Sequence, residues 1–255
     1  MPANETGGRT VQAVDNSIAI IEALQEREGA GVTELATELD LSKATVHAHL
    51  NTLFQNELVI KNGTEYQLSL RHLDLGETVK SRLGFYDVVT SELDDIAMET
   101  DELAQFATEE HGRAVYLYKA SGEKAVQTAS KVGKREYLHC ISLGKAMLAH
   151  LPESRVDDIV AKHGLREFTS RTITTRAELD ESLAKIRERG YAIDDEEKIE
   201  GLRCVAAPVL SDADVLGAVS ISGPTSRMRG DRFEEELPEV VKRSANVIEI
   251  NAKFS

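Results

Sequence analysis

At 255 residues the chain is long enough for two domains, each with its own core. Its 44 Asp and Glu against 30 Lys and Arg give a formal net charge of −14. No run of about 18 apolar residues occurs, which excludes a membrane-spanning helix. The only cysteines, Cys140 and Cys204, lack CxxC spacing, and the polar start MPANETGGRT has no apolar secretory segment, so a cytoplasmic protein with free thiols is expected.

Residues 1–12 read as a flexible tail. Val14, Ile18, Ile21 and Leu24 then recur at helical spacing. Residues 32–53, VTELATELDLSKATVHAHLNTL, hold two short amphipathic patterns. Leu35, Ala36 and Leu39 share one face of a first helix, and Val46, Leu50 and Leu53 share one face of a second. Asp40, Leu41 and Ser42 leave room only for a sharp corner, and Ser42 is a good N-cap. Such a pair is a helix-turn-helix, a unit that holds its second helix in the major groove of DNA. Leu58-Val59-Ile60 and Tyr66-Gln67-Leu68 flank Lys61-Asn62-Gly63-Thr64, and Asn-Gly between strand-like runs signals a hairpin. Residues 13–70 therefore read as a winged helix-turn-helix. A helical bundle, or a winged helix used for protein contacts, is the competing reading.

The outer face of the second helix carries Lys43, Thr45, His47, Ala48 and Asn51. Ser42, Lys43 and Thr45 in its first turn suit phosphate contact, while His47 and Asn51, one turn apart, can reach base edges. Lys61 and Asn62 in the wing can follow the backbone. His47 and His49, two apart, point to different helix faces, so no metal pair is expected. The acidity is unusual for double-stranded DNA as a partner, since residues 1–80 hold 6 Lys and Arg against 12 Asp and Glu. Few cations remove the non-specific attraction on which most DNA binders rely. An acid-rich surface without tryptophan fits a halophilic host, where salt screens that repulsion and base contacts carry specificity.

Residues 71–89 show helical spacing at Leu73, Leu75, Val79, Leu83 and Tyr86, although Gly76 and Gly84 allow two segments. Residues 71–87 are read as a linker helix and a dimer seam, with ordinary packing as the alternative. Residues 88–255 alternate between helix and strand. A helix is expected over 88–100, then strands over 103–108 and 114–119 on either side of Glu109-Glu110-His111-Gly112, and a third over 124–132. A helix opens at Gly144, and Pro152 permits another. Thr175 and Glu178 form a capping box ahead of a helix that Gly190 stops. Strands over 205–210 and 215–222 and a helix over 233–252 complete the chain. The class is α/β in the α+β sense, an antiparallel sheet flanked by helices.

Residues 190–209, GYAIDDEEKIEGLRCVAAPV, resemble the signature of the IclR family of transcriptional regulators through Gly190, Asp194, Glu197, Cys204, Val205, Ala206 and Val209. SISGP at 220–224 and GKAMLA at 144–149 also match, whereas Leu210 and Ser211 depart from the usual end of the signature. The resemblance implies a GAF-like domain that binds a small-molecule effector, usually an organic acid. It also implies a homodimer or tetramer, an operator and control of a catabolic operon. Positions matching the family's effector pocket are Ser142, Leu143, Asp194, Leu202, Cys204, Ser220 and Ser222. Ser220 and Ser222 face one side of a strand, and a helix start near Ser142 offers N–H groups to an anion. Asp194 would repel a bound acid unless it accepts a ligand hydroxyl, which favours a hydroxy acid, a keto-acid hydrate or a sugar-derived ligand. Leu143 is bulkier than the residue some members carry, and Ala48-His49 stands where many place Arg-Leu.

Plainer roles are open to each position. Cys204 suits a core, the two serines can bond backbone, Asp194 can cap or pair with Arg203, and residues 194–197 otherwise read as a solvated loop. A redox sensor pairing the two cysteines and a cysteine-dependent enzyme are the alternative functions. The enzyme lacks a histidine fixed near either thiol. No cofactor, catalytic residue or metal site is expected.

Overall fold

The computed structural model describes residues 9–128, 130–212 and 214–253. It divides into two compact units, Met1–Leu83 and Gly84–Ser255. Residues 1–8 of the expected tail lie outside the described residues.

The first unit comprises α1 (Gln12–Arg27), β1 (Ala30–Gly31), α2 (Val32–Glu38), α3 (Lys43–Gln55), β2 (Val59–Asn62), β3 (Glu65–Leu68) and α4 (Arg71–Lys80). Its antiparallel sheet runs β1-β3-β2. Leu35 of α2, Val46, Leu50 and Leu53 of α3, and Val59 and Tyr66 of the wing close one core with Ile20, Ala23 and Leu24 of α1. The inward face of α1 differs from the expected one, because Val14 and Ile18 are exposed. The helix carries two apolar stripes, and spacing alone does not say which meets a partner. At the corner between α2 and α3, Asp40 takes a left-handed conformation. The Ser42 hydroxyl accepts the Thr45 N–H at 3.0 Å as the cap of α3.

The wing turns at Gly63 and Thr64, with Asn62 opposite Glu65 as the last strand pair. The expected Asn62-Gly63 turn is thus displaced by one residue. Slipping the register by one would move the buried Tyr66 to the solvent face. The helix expected over 71–89 is two helices. Tight turns follow Lys80, where the Leu83 N–H bonds the Lys80 carbonyl at 2.9 Å, and the next helix starts at Tyr86. The linker helix expected over 71–87 accordingly ends at Lys80.

The second unit comprises α5 (Tyr86–Thr100), β4 (Leu103–Glu110), β5 (Arg113–Ser121), β6 (Arg135–Tyr137), α6 (Ser142–Leu148), α7 (Glu153–His163), α8 (Arg176–Arg189), β7 (Ala192–Asp195), β8 (Leu202–Leu210), β9 (Val215–Pro224) and α9 (Leu237–Ala252). A π turn, Arg232–Glu236, leads into α9. All six strands pair antiparallel in the order β6-β5-β4-β9-β8-β7. Strand alternation sends Phe106, Val205, Val219 and Ile221 to one face, against α5 and α9. It sends Ala107, Ala114, Ala206 and Ala218 to the other, against α6 and α8.

Three local expectations change. The β4–β5 turn is only His111 and Gly112, both at positive φ, as a tight two-residue hairpin requires. No strand forms among the described residues of 124–132. There Ser130 is held by Gln105 and Lys119, and the edge strand is β6. β7, unanticipated, forms the opposite edge from the start of the supposed acidic loop. Gly144 sets the depth of α6, because a Cβ there would lie 2.1 Å from the Leu138 carbonyl oxygen.

Candidate functional site

On the first unit, α3 turns Lys43, His47 and Asn51 to water, while Thr45 is half-buried. The Ser42 hydroxyl also lies 2.8 Å from that of Thr45, so both are held within the first turn. His49 points back to α1, with Nδ1 2.8 Å from the Ser17 hydroxyl, and is absent from the outer face. Lys61 and Asn62 are exposed on β2, and the Lys61 ammonium stands 5.4 Å from the Tyr66 ring centre. The arrangement is a polar helix face of groove-reading size beside a short wing, with sparse positive charge.

The second unit encloses a cavity of about 90 Å3 between its sheet and the start of α6. Strand register assembles it. Asp194 pairs with Cys204, Cys204 with Ser222, Ala206 with Ser220, and Ser220 with Gln105. Asp194, Cys204, Ser220, Ser222 and Gln105 therefore share one face. Ser142, Leu143 and Leu202 complete the set, so all seven positions expected for an effector line one cavity. Gln105, Tyr116, Thr128 and Ser130 add a wall that the residue patterns did not disclose, and Lys134, Glu136 and Lys198 add another.

Behind Asp194, outside the cavity lining, lies a buried ion pair. Asp194 and Glu197 are both buried, as is Lys145 of α6. Lys145 Nζ bonds Glu197 Oε1, while Glu197 Oε2 has no partner among the described residues. Asp194 Oδ1 accepts the Glu197 N–H at 2.8 Å. Burial pushes the Asp194 carboxyl up to about 7, against the opposing pull of Lys145 and nearby backbone N–H groups. Burial also raises Glu197, again opposed by Lys145.

Two plainer expectations fall here. The stretch after Asp194 is no solvated loop, since Glu197 is part of a buried ion pair. Asp194 does not pair with Arg203, which instead donates to Asp195 at 2.5 Å. The Ser222 hydroxyl donates to Gln105 Oε1 at 3.5 Å, and Gln105 Nε2 donates to Ser130 at 2.8 Å. Ser220, 1% exposed, has no hydrogen-bond partner for its hydroxyl among the described residues. Both cysteines are free and buried, and burial pushes both thiols well up from their ordinary range.

Elsewhere on the lining Glu136 lies between Lys134, at 2.9 Å, and Lys198, at 2.7 Å. The Lys198 ammonium also stands 3.4 Å from the Phe168 ring centre. These three charges come from β6, the residue before it and the β7–β8 turn. Lys134 and Glu136 stand two apart in the sequence, and only tertiary folding brings Lys198 to them. Among the described residues no group of three His, Cys, Asp or Glu is set to hold a metal, and no helix is long and apolar enough to cross a membrane.

The IclR helix-turn-helix domain family matches residues 13–63, and the family described as bacterial transcriptional regulator IclR C-terminal matches residues 78–250. The chain is 36% identical over 253 residues to a probable HTH-type transcriptional regulator ArcR of Halobacterium salinarum, covering 97% of this chain and 96% of that protein. It is 30% identical to the HTH-type transcriptional regulator KdgR of Escherichia coli, covering 89% and 87%. The crystal structure of Thermotoga maritima IclR matches with a TM-score of 0.76 at 27% identity, over 94% of this chain and 97% of that one. An IclR homolog of Microbacterium hydrocarbonoxydans complexed with 4-hydroxybenzoate shares the fold at a TM-score of 0.83 and 19% identity, over 95% and 100%. The winged helix, the curled sheet with its cavity and these matches together place the chain in the IclR family of DNA-binding transcription regulators, with an effector-binding C-terminal domain.

Proposed function

We propose that a small metabolite in the cavity controls how this regulator holds its operator, and that the genes so controlled serve a catabolic pathway. The observation that carries the reading is the Ser220 hydroxyl, buried in the cavity wall without a partner. A buried polar group left unpaired is costly, and a ligand that bonds it recovers that cost. The cavity has room for several water-sized groups, the scale of a small organic acid. On the other unit, His47 and Asn51 contact base edges, while Ser42, Lys43, Thr45, Lys61 and Asn62 follow phosphates. One winged helix covers a half-site, so a homodimer or a tetramer reads the operator with two copies of α3.

The protein works in a cytoplasm of high salt, in keeping with its charge of −14 and with its relative from Halobacterium salinarum. A thiol sensor or cysteine-dependent enzyme has less support, since burial holds both thiols protonated and the thiolate is the reactive form.

Mapping binding sites across the host genome would name the operator and the neighbouring pathway. Operator affinity is then measured as that pathway's metabolites are added to wild type and to Ser220→Ala. One metabolite should shift the wild type, and the variant should lose about 1–3 kcal/mol of that response with its metabolite-free affinity unchanged. A wild type whose operator binding and melting point ignore every such metabolite would sink the reading.

A further inference from the structure

Asn62 and Gly63 form the one Asn-Gly pair in the chain, and it sits at the tip of the wing. Asn62 ends β2 opposite Glu65, and Gly63 and Thr64 make the turn. Gly63 stands at a φ of 61° as the first residue of that turn, the place that a type II′ hairpin gives to glycine. Asn62 and Gly63 are both exposed, and a Cβ added to Gly63 would meet nothing within 4 Å. Among the described residues no carbonyl accepts the Gly63 N–H in the turn. The other described asparagines differ. Asn16, Asn51, Asn246 and Asn251 lie inside α1, α3 and α9, where the N–H of the next residue bonds within the helix. Glu57, which follows Asn56, gives its N–H to the Phe54 carbonyl at 3.0 Å.

We infer that Asn62 is a site of spontaneous deamidation, and that the change loosens the wing from DNA, so that a molecule's grip on its operator declines with age. The second half rests on the reading of Lys61 and Asn62 as phosphate contacts. In the reaction the Gly63 amide nitrogen loses its proton to solvent and attacks Asn62 Cγ. The new N–Cγ bond replaces Cγ–Nδ2, and Nδ2 leaves as ammonia with a proton from water. The five-membered imide so formed takes up one water at either carbonyl, giving aspartate or isoaspartate. Glycine permits the attack because no side chain obstructs its nitrogen, and the open space around Gly63 leaves room for the ring. Asn62 must leave its strand pair to react, and the last pair of a short hairpin opens at small cost. Aspartate at this position replaces an amide that can donate to phosphate by a carboxylate that only accepts. It stands directly opposite Glu65, and like charges so placed destabilise a strand pair. Lys61 and Glu65 balance in the unmodified wing, so the modified wing carries net negative charge. Isoaspartate adds a backbone carbon to β2 beside the Lys61–Tyr66 pair, whose register keeps Tyr66 in the core.

Incubation of the full chain in mildly alkaline potassium chloride buffer tests this, with tandem mass spectrometry following each asparagine. Asn62 should gain about one mass unit well before any other described asparagine. Mildly acidic buffer should slow the gain, because the Gly63 nitrogen then keeps its proton. Affinity for the operator recovered by genome mapping is measured on the same samples by fluorescence anisotropy. It should fall in step with conversion, to about a tenth once every wing is converted, as a hydrogen-bonded phosphate contact becomes a repulsion. Asn62→Asp should begin near that reduced value. Asn62→Gln, which forms no five-membered ring, should hold its own starting affinity throughout the incubation. Thermal unfolding of each variant verifies that it is folded. An Asn62 that outlasts the other asparagines, or an Asn62→Gln chain that loses affinity as fast as wild type, would overturn the inference. So would full conversion with operator affinity unchanged when Lys61→Gln weakens binding. If Asn62 converts and neither Lys61→Gln nor Asn62→Asp alters operator affinity, the phosphate reading of the wing fails and the modification site stands.

Discussion

Helices α3 and α6, to which the proposed operator and effector contacts are assigned, meet water in opposite ways. α3 buries Val46, Leu50 and Leu53 and leaves Lys43, His47 and Asn51 exposed, so its polar face is separate from its packing face. All seven residues of α6 are buried, Lys145 included, and Leu143 both lines the cavity and packs in the core. A surface reader can therefore exchange specificity residues at little cost in stability, whereas a change in the cavity helix alters ligand fit and folding together.

The strongest test of that contrast is the double change of His47 and Asn51 to Ala. Each base contact is worth about 1–3 kcal/mol, so operator preference over unrelated DNA should fall by about 2–6 kcal/mol in fluorescence anisotropy. The melting temperature should hardly move, because neither side chain packs in the core. A double variant that melts early would erase the distinction between the two helices.

Gly144→Ala addresses α6. The added Cβ meets the Leu138 backbone, so either the helix or that segment must shift. Denaturant unfolding should show a loss of about 1–3 kcal/mol, against roughly half a kcal/mol or less for Ala48→Ser on the exposed face of α3. Equal effects from the two would mean that α6 is not seated against Leu138.

Asp194→Asn sharpens the electrostatic side. Folded Asp194 titrates near 7, against an ordinary value near 3.8. Between those values the folded state keeps a proton that the unfolded state has released. Its contribution to stability therefore declines as pH rises from about 4 to about 7 and levels off above that. The asparagine has no such titration, so its stability relative to wild type should climb over the same interval. A flat difference across that range would place the Asp194 titration elsewhere. Ser42→Ala, which removes the α3 cap, should cost the first unit about 1 kcal/mol, read in its unfolding transition.

The reader was legible because a helix half in water repeats every 3.6 residues, and Leu35, Val46, Leu50 and Leu53 keep that period. Even there α1 misled, since Val14 and Ile18 continue the pattern yet face out, leaving Ile20 and Ala23 to close the core. In the second unit β8 and β9 were legible as apolar runs. β7 was hidden by the acidic stretch after Ile193, whose Asp194 and Glu197 fold inward against Lys145 of a distant helix. Charged residues normally mark solvent, and nothing local distinguishes a pair that finds its partner 52 positions away. The seven cavity positions came from a family signature rather than from periodicity. Lys134, Glu136 and Lys198 belong to no signature, and Lys198 reaches the other two only through the curl that brings the edges of the sheet together.

The short wing has a consequence for association with DNA. With strands of four residues and a two-residue turn, it offers Lys61 as its cation, and the first turn of α3 offers Lys43. A protein displaces about 0.9 counterions from duplex DNA for each phosphate it neutralises. Two such contacts per reader give a slope near −2 for log affinity against log salt, so a fourfold rise in potassium chloride weakens one reader by only about twelvefold. Readers with eight or ten phosphate-bound cations lose several orders of magnitude over the same change. Two readers on one operator would double the slope to near −4, still well short of readers rich in phosphate-bound cations.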